Sequence, residues 1–284
     1  MPPAPPPPDR RLSTGVGLAG IYTGLSVWAY FAWYYKAPEL EGFLFGGDGY
    51  FGENTYAGGA DKLGHAWATY ALARSTSRLM RWGGMRPVTA AALTSGLSLA
   101  FFTFVEVKDG YYYQFSPGDQ LANTLGAGLS ALLELSPTVD RLLDFRVQYY
   151  PSDEYLDLVG GGDVDVAEDY SGQRYLLAVH TGDAIDLARG RSAEWTRWLR
   201  LVDVAVGFET RKYKPDPIDP DAVRRQHLFL GLSFNAQGAL DLALGHRGGG
   251  VRQFGRKFGH GLFEAMNLPF TSVAVGGVSR SPDD

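Results

Sequence analysis

The stretch Ala60-Asp61-Lys62-Leu63-Gly64-His65 decides how the first half of this chain folds. Asp61 and His65 are four residues apart, so on a helix their side chains lie on one face. The stretch opens an apolar segment that runs to about Trp82. It therefore predicts a helix whose first turns carry an acid, a lysine and an imidazole.

Two later fragments repeat this arrangement at other helix ends. Glu106 and Asp109 are three residues apart where the next apolar segment closes, and Asp119 and Asn123 are four apart where the following one opens. Neighbouring helices of an up-down bundle alternate in direction, so these three ends lie at one end of the bundle. The sequence thus predicts one polar cluster, which consists of Asp61, Lys62, His65, Glu106, Asp109, Asp119 and Asn123.

The cluster has a chemical interpretation. Imidazole and carboxylate groups bind divalent cations, and a spare carboxylate can act as a general base. This interpretation predicts a divalent metal as cofactor and a hydrolase that acts on a lipid or cell-wall substrate. The candidate metal ligands are His65, Glu106, Asp109 and Asp119.

The cluster also has a non-enzymatic interpretation, in which it stabilises the bundle or binds an envelope ligand. Lys62 would pair with Glu106 or Asp109, and His65 would bond to Asp119. Asn123 would cap unsatisfied backbone groups. Both interpretations stay open on the sequence alone.

Composition and missing motifs narrow the function classes. The formal net charge of -5 comes with no basic stripe beside aromatic platforms, so we expect no nucleic-acid partner. The chain has no cysteine, which excludes disulfides, thiolate metal sites and lipid attachment through an N-terminal cysteine. Gly160-Gly161-Gly162-Asp163 lacks a Walker lysine, and there is no Gly-x-Ser-x-Gly elbow.

The N-terminal region predicts a membrane anchor. A disordered proline-rich tail over residues 1–11 is followed by Leu12 to Tyr35, which contain no charge. About 20 apolar residues suffice to cross a bilayer. Because Arg10 and Arg11 precede the segment, we predict a transmembrane anchor over residues 12–36 with its start in the cytoplasm. A cleaved signal peptide is the competing interpretation.

Together with the anchor, the helices within residues 37–143 are predicted to form a membrane-associated bundle of about four helices. Val88 to Val105 carry no charge, and Leu121 to Leu135 form a Gly/Ala-rich helix that Pro137 closes. Four arginines cluster around the end of the first predicted helix of this region, namely Arg74, Arg78, Arg81 and Arg86. The positive-inside rule predicts that these arginines lie in the cytoplasm and that the polar cluster lies at the outer end of the bundle.

Residues 144–284 predict a small antiparallel β region with a short helix near its C-terminus, so the fold class is α+β. Arg225 to Asn235 alternate most clearly, with Leu228, Leu230 and Leu232 on one side, as in a half-buried strand. About five strands are too few to close an outer-membrane barrel alone. The other strands are Phe145 to Tyr150, Gln173 to Thr181, Leu201 to Lys212 and Val273 to Val278, and the helix is Gly255 to Asn267.

The four remaining histidines are interpreted as ordinary residues. His180 and His227 stand in strand patterns and are expected to be surface or core side chains rather than ligands. His246 and His260 lie in Gly/Arg-rich stretches, where solvation accounts for them.

The three-part polar motif resembles a known family. Asp61-Lys62-x-x-His65 with Tyr70, Glu106-x-x-Asp109-Gly110 and Ser116-x-x-Asp119-x-x-x-Asn123-x-x-Gly126 are similar to the YfiM-like family of predicted bacterial envelope proteins, a domain of unknown function. The Asp-Lys-x-x-His opening also resembles VanZ-like membrane proteins. The resemblance implies a cell-envelope location and a helical core around the motif, without an established reaction.

The sequence therefore predicts a bacterial cell-envelope membrane protein of unassigned role. Its expected partners are the lipid bilayer and an envelope lipid or cell-wall ligand. We expect the inner membrane as its location. If the first segment is removed or the later helices do not cross, the alternative is the periplasm or the outer membrane.

Overall fold

The structure is a computed structural model that describes residues 10–47, 49–158, 166–217, 219, 221–245 and 249–282. Most of the proline-rich tail, the Gly160 to Asp163 stretch and His246 lie outside the described residues.

The α+β prediction is confirmed. The longer helices are α1 (Arg11–Ala29), α2 (Ala60–Trp82), α3 (Pro87–Tyr112), α4 (Pro117–Leu135), α7 (Thr181–Arg189), α9 (Ala236–Leu244) and α10 (Gly250–Phe263). The short helices are α5 (Pro137–Asp140), α6 (Asp153–Leu158) and α8 (Thr196–Leu199). The strands are β1 (Leu143–Tyr149), β2 (Gln173–His180), β3 (Val202–Arg211), β4 (Arg225–Phe234), β5 (Met266–Asn267) and β6 (Ser272–Arg280).

The chain forms two compact units. The helical unit comprises the described part of Met1–Gly47 together with Ala68–Ser136. The sheet unit comprises the described part of Asp48–Trp67 and Pro137–Asp284. The division falls within helix α2, whose first two turns group with the sheet unit.

The core of the helical unit is built from small and aliphatic side chains. Leu18 on α1, Met80 on α2 and Ala90 on α3 are buried together. A β-carbon at Gly83 would lie 2.2 Å from the hydroxyl of Thr14, so the turn after α2 passes too close to α1 for any side chain.

Two helical segments are long and apolar enough to cross a membrane, namely Arg11–Tyr34 and Pro87–Tyr112. The first continues α1 through one π-helical turn, Tyr30–Tyr34. Among the described residues, α2 and α4 do not meet the same criteria. Length and composition alone do not separate a span from a signal sequence or a core helix.

Helix α3 extends further than the sequence predicted. Glu106 and Asp109 lie in its last two turns, and Tyr111 and Tyr112 are also helical, beyond the charge-free segment that ends at Val105. No proline interrupts the segment before Pro117, so its hydrogen bonds continue until the amide of Tyr113 donates to Asp109.

The sheet unit contains one six-stranded sheet in the order β5-β1-β2-β3-β4-β6. All neighbours are antiparallel except β1 and β5. The five predicted strands are confirmed, and β5 was missed because it has only two residues. The C-terminal helix ends at Phe263, before the predicted Asn267, because Met266 and Asn267 pair with β1.

The alternation predicted for β4 is present, but its leucine side is exposed. Leu228, Leu230 and Leu232 lie on the open face, whereas Phe229 and Ser233 point into the interior. Alternation along a strand shows that two faces differ and does not show which face is covered.

Candidate functional site

A tight turn places the start of helix α2. Ala57, Gly58 and Gly59 have φ angles of 51°, 61° and 83°, and glycine adopts this left-handed region without strain. The carbonyl of Gly58 accepts a 2.7 Å hydrogen bond from the side chain of Gln226 on β4. The turn is thus tied to the sheet directly before Asp61.

The first turns of α2 carry a buried ion pair. Lys62 Nζ lies 2.9 Å from Asp61 Oδ2, and the lysine is only 2 % exposed. A buried lysine is stable only when its charge is paired. Gly64, inside the same motif, allows the helix to approach β2, since a β-carbon there would lie 2.9 Å from the hydroxyl of Tyr175.

The end of α3 holds two carboxylates in fixed positions within the helical unit. Glu106 is 1 % exposed, and its Oε2 accepts a hydrogen bond from the amide of Ser116 at 3.4 Å. Asp109 Oδ1 accepts a 2.7 Å hydrogen bond from the hydroxyl of Tyr34. Each carboxylate is therefore oriented by a donor outside its own helix.

Helix α4 starts with a regular N-cap. Ser116 Oγ accepts a hydrogen bond from the amide of Asp119, and Pro117 occupies the first helical position. Asp119 lies in the first turn, where the helix dipole stabilises a negative charge. The predicted opening of a helix at Asp119 and Asn123 is therefore confirmed.

Asn123 lies one turn further along α4 and is fully buried. Its Oδ1 accepts a 2.9 Å hydrogen bond from Thr69 Oγ1 on α2. This bond joins two helices through their side chains, which the backbone-capping prediction did not include.

Close packing explains why the second motif fragment contains a glycine, Gly110. A β-carbon at Gly110 would lie 2.1 Å from the ring of Phe43. The carbonyl of Gly110 also accepts a hydrogen bond from the amide of Leu44 at 2.7 Å. The segment before Gly47 therefore packs directly on the end of α3.

The structure thus collects Glu106, Asp109 and Asp119 where α3 ends and α4 begins, and it places Asp61, Lys62 and His65 in the first two turns of α2. The pairings of Lys62 with Glu106 or Asp109, and of His65 with Asp119, stay predictions.

The sequence analysis missed a second polar cluster, on the buried face of the sheet. Arg146 on β1 forms ion pairs with Asp144 and, at 2.7 Å, with Asp203 on β3. His180 on β2 lies 3.2 Å from Asp144 and 3.3 Å from Asp203. Asn235 donates a 2.8 Å hydrogen bond to Asp203. We call Asp144, Arg146, His180, Asp203 and Asn235 the sheet network.

The sheet network is balanced in charge. Burial alone would lower the pKa of His180, but the hydrogen bonds and charges of Asp144 and Asp203 raise it to about 10. Burial would raise the pKa of Asp144, yet Arg146 and His180 hold it below its ordinary value. Two carboxylates therefore face one guanidinium and one imidazolium at neutral pH, and His180 is a core histidine in an ion network.

A comparison with known protein families matches the segment that contains the polar motif. Residues 47–135 match the family described as "Predicted periplasmic lipoprotein (DUF2279)". The match supports a bacterial cell-envelope protein of unassigned role. The matched segment contains all seven residues of the predicted polar cluster and ends before β1, so it does not cover the sheet network. No curated protein and no solved structure shows significant similarity to the chain.

Proposed function

We propose that this envelope protein is anchored in the inner membrane by its first apolar segment, and that its polar motif binds a divalent cation. We further propose that it is a YfiM-like protein whose Asp-Lys-x-x-His opening is distantly related to that of VanZ-like membrane proteins. The family match supports the envelope location. The long apolar helix near the N-terminus supports the anchor.

One observation carries the metal proposal. Within the helical unit, Glu106 and Asp119 are both buried and are linked through Ser116, which donates its amide to Glu106 and accepts from the amide of Asp119. We propose that these two carboxylates and His65 on α2 are the three ligands. An imidazole nitrogen and two carboxylate oxygens suit Zn²⁺ and related divalent ions. Three protein ligands leave a coordination position for water or an envelope ligand.

Helix geometry supports the same grouping. Thr69 follows His65 by four residues on α2, and Asn123 follows Asp119 by four residues on α4, so each pair shares a helix face. Thr69 and Asn123 are joined by the 2.9 Å hydrogen bond. That contact orients the two helix faces that carry the proposed ligands.

The metal proposal is tested by metal content. The full chain, purified in mild detergent without chelator, should retain a stoichiometric divalent ion, measured by plasma mass spectrometry. Glu106→Gln and His65→Ala should lose the ion while circular dichroism stays unchanged. Glu134→Gln is the matched control, because Glu134 is a buried glutamate of the same unit that pairs with Arg74 and Arg81. An ion-free wild type, or an ion retained by Glu106→Gln, would contradict the proposal.

The hydrolytic alternative has one observation in its favour. Asp109 lies outside the group of three and is held by Tyr34, so it is a spare carboxylate of the kind a general base requires. Asp109→Asn should then keep the metal but lose turnover, measured against a panel of phospholipids and peptidoglycan fragments. If metal-loaded wild type turns over none of them, the non-enzymatic binding role is favoured.

A further inference from the structure

One face of this sheet carries the sheet network and is buried, whereas the other face is apolar and only partly covered. The start of α2 covers the apolar face at Tyr175, and the rest of that face is open. Register pairs Leu177 with Val206, Val206 with Leu230 and Leu232 with Val273, so these side chains are neighbours across strands β2, β3, β4 and β6. Leu230, at the centre, is 59 % exposed. We call the whole set the aliphatic face, and it consists of Leu177, Val179, Val202, Val204, Val206, Leu228, Leu230, Leu232, Val273 and Val278.

The opposite face holds charged side chains. Arg146, His180 and Asp203 lie there and are buried, beside a small apolar cluster that includes Leu176 and Phe229. Arg174 and Glu209 also lie there and form an ion pair at 2.9 Å, in which Glu209 is buried and Arg174 is partly buried. A sheet in a soluble protein usually buries its apolar side and exposes its polar side. Sheets that face lipid show the reverse order, with apolar side chains outward and polar side chains inward.

We infer that the aliphatic face lies against the acyl chains of a phospholipid membrane. Its strands already satisfy one another's backbone hydrogen bonds in the ladder, so contact with lipid leaves few polar groups unpaired across the centre of the face. A contiguous apolar surface of this kind indicates an interaction site rather than ordinary surface.

The composition of the aliphatic face favours lipid over a protein partner. Protein interfaces concentrate binding energy in Trp, Tyr and Arg, and Leu and Val are under-represented among their energetic centres. They also contain about one hydrogen bond per 100–200 Å². The exposed part of the aliphatic face presents leucine and valine side chains, which offer no side-chain hydrogen bond.

The surroundings of the face also fit a membrane. Trp195 and Trp198 are exposed beside the start of β3, where Val202 begins the aliphatic face. Tryptophan is enriched at the level of lipid headgroups. The same chain carries an apolar helix near its N-terminus that is long enough to cross a bilayer, so a bilayer is within reach.

The membrane contact of the aliphatic face can be tested by site-specific labelling. Because the chain contains no cysteine, a single introduced cysteine is the only thiol that the label can modify. The full chain with Leu230→Cys carries a bimane fluorophore and is reconstituted into vesicles of phosphatidylethanolamine and phosphatidylglycerol. Leu156→Cys is the matched control, since Leu156 on α6 is also an exposed leucine of the sheet unit but lies outside the face. Nitroxide-labelled acyl chains should quench the fluorophore several-fold more strongly at position 230 than at position 156.

Two outcomes overturn the inference. In the first, aqueous iodide quenches both positions equally and the nitroxide lipids quench neither, which means that the face is in water. In the second, position 230 is protected from iodide but not quenched by nitroxide lipid, and a homobifunctional thiol reagent joins two chains there. That result assigns the face to a second copy. Neither outcome depends on whether the helical motif binds a metal.

Discussion

The two polar clusters of this protein differ in what surrounds their carboxylates. In the sheet network, Asp144 and Asp203 share Arg146 and His180, so the charges cancel within one small group. At the junction of α3 and α4, which we call the helical cluster, Glu106 and Asp109 accept hydrogen bonds from an amide and a hydroxyl group, and Asp119 lies in the first turn of α4. A balanced network suits a structural role, whereas a group of carboxylates suits a cation.

The largest effect is expected from Arg146→Met in the sheet network. It leaves two buried carboxylates without the guanidinium, and breaking a buried pair in this way costs about 3–5 kcal/mol. The free energy of unfolding should fall by that amount, measured by urea denaturation with hydrogen exchange on β1 and β3. Arg141→Met is the control, because Arg141 forms an exposed pair with Asp183 and should cost at most about 1 kcal/mol. If both variants lower the free energy of unfolding by the same amount, the sheet network does not stabilise the fold more than an exposed ion pair does.

The pH dependence of stability should report His180. Its pKa is raised from 6.5 to about 10, so its contribution is fully present below pH 6.5 and is lost as the pH rises through about 10. The loss should be on the order of a few kcal/mol, since one pKa unit corresponds to about 1.4 kcal/mol. At the acid end, the lowered pKa of Asp144 means that its contribution is lost as the pH falls below its ordinary 3.8.

Urea midpoints measured between pH 6.5 and pH 10 check the alkaline prediction. The midpoint should fall across this window in wild type, and His180→Asn should make the curve flatter. A wild-type curve that is already flat would show that the imidazole is neutral in the folded protein.

The sequence could suggest the polar cluster through its local pairs, whereas it could not suggest the sheet network. Asp61 and His65, or Glu106 and Asp109, are close along the chain, so helical spacing alone puts them on one face. Arg146 and Asp203 lie on β1 and β3, and only the register through β2 makes them neighbours. Short-range spacing carries no information about that register.

The open face of the sheet was missed for a related reason. The sequence showed Leu228, Leu230 and Leu232 on one side of a strand. Whether that side is buried depends on which other elements pack against it. Asn235 caps helix α9, and Gln237 in the first turn of that helix donates a hydrogen bond to Asp144, so the chain that follows β4 lies over the polar side. The alternation of residues along a strand contains no information about which side the following helix covers.

A smaller effect is expected from Ser116→Ala at the helical cluster. The change removes the N-cap of α4 and should cost about 1 kcal/mol, since the backbone amide that binds Glu106 remains. Thr124→Ala on the exposed side of the same helix is the control. Thermal unfolding followed by circular dichroism measures both. A loss as large as that of Arg146→Met would mean that the helical cluster is primarily structural.

Cobalt binding tests the central claim most directly, namely that the helical cluster is a cation site. Titration of metal-free full chain in detergent with Co²⁺ should produce a saturable visible absorption band that Zn²⁺ abolishes. Glu106→Gln should lack the band, and Arg141→Met should keep it. No saturable band in wild type, or the same band in Glu106→Gln, would contradict the account.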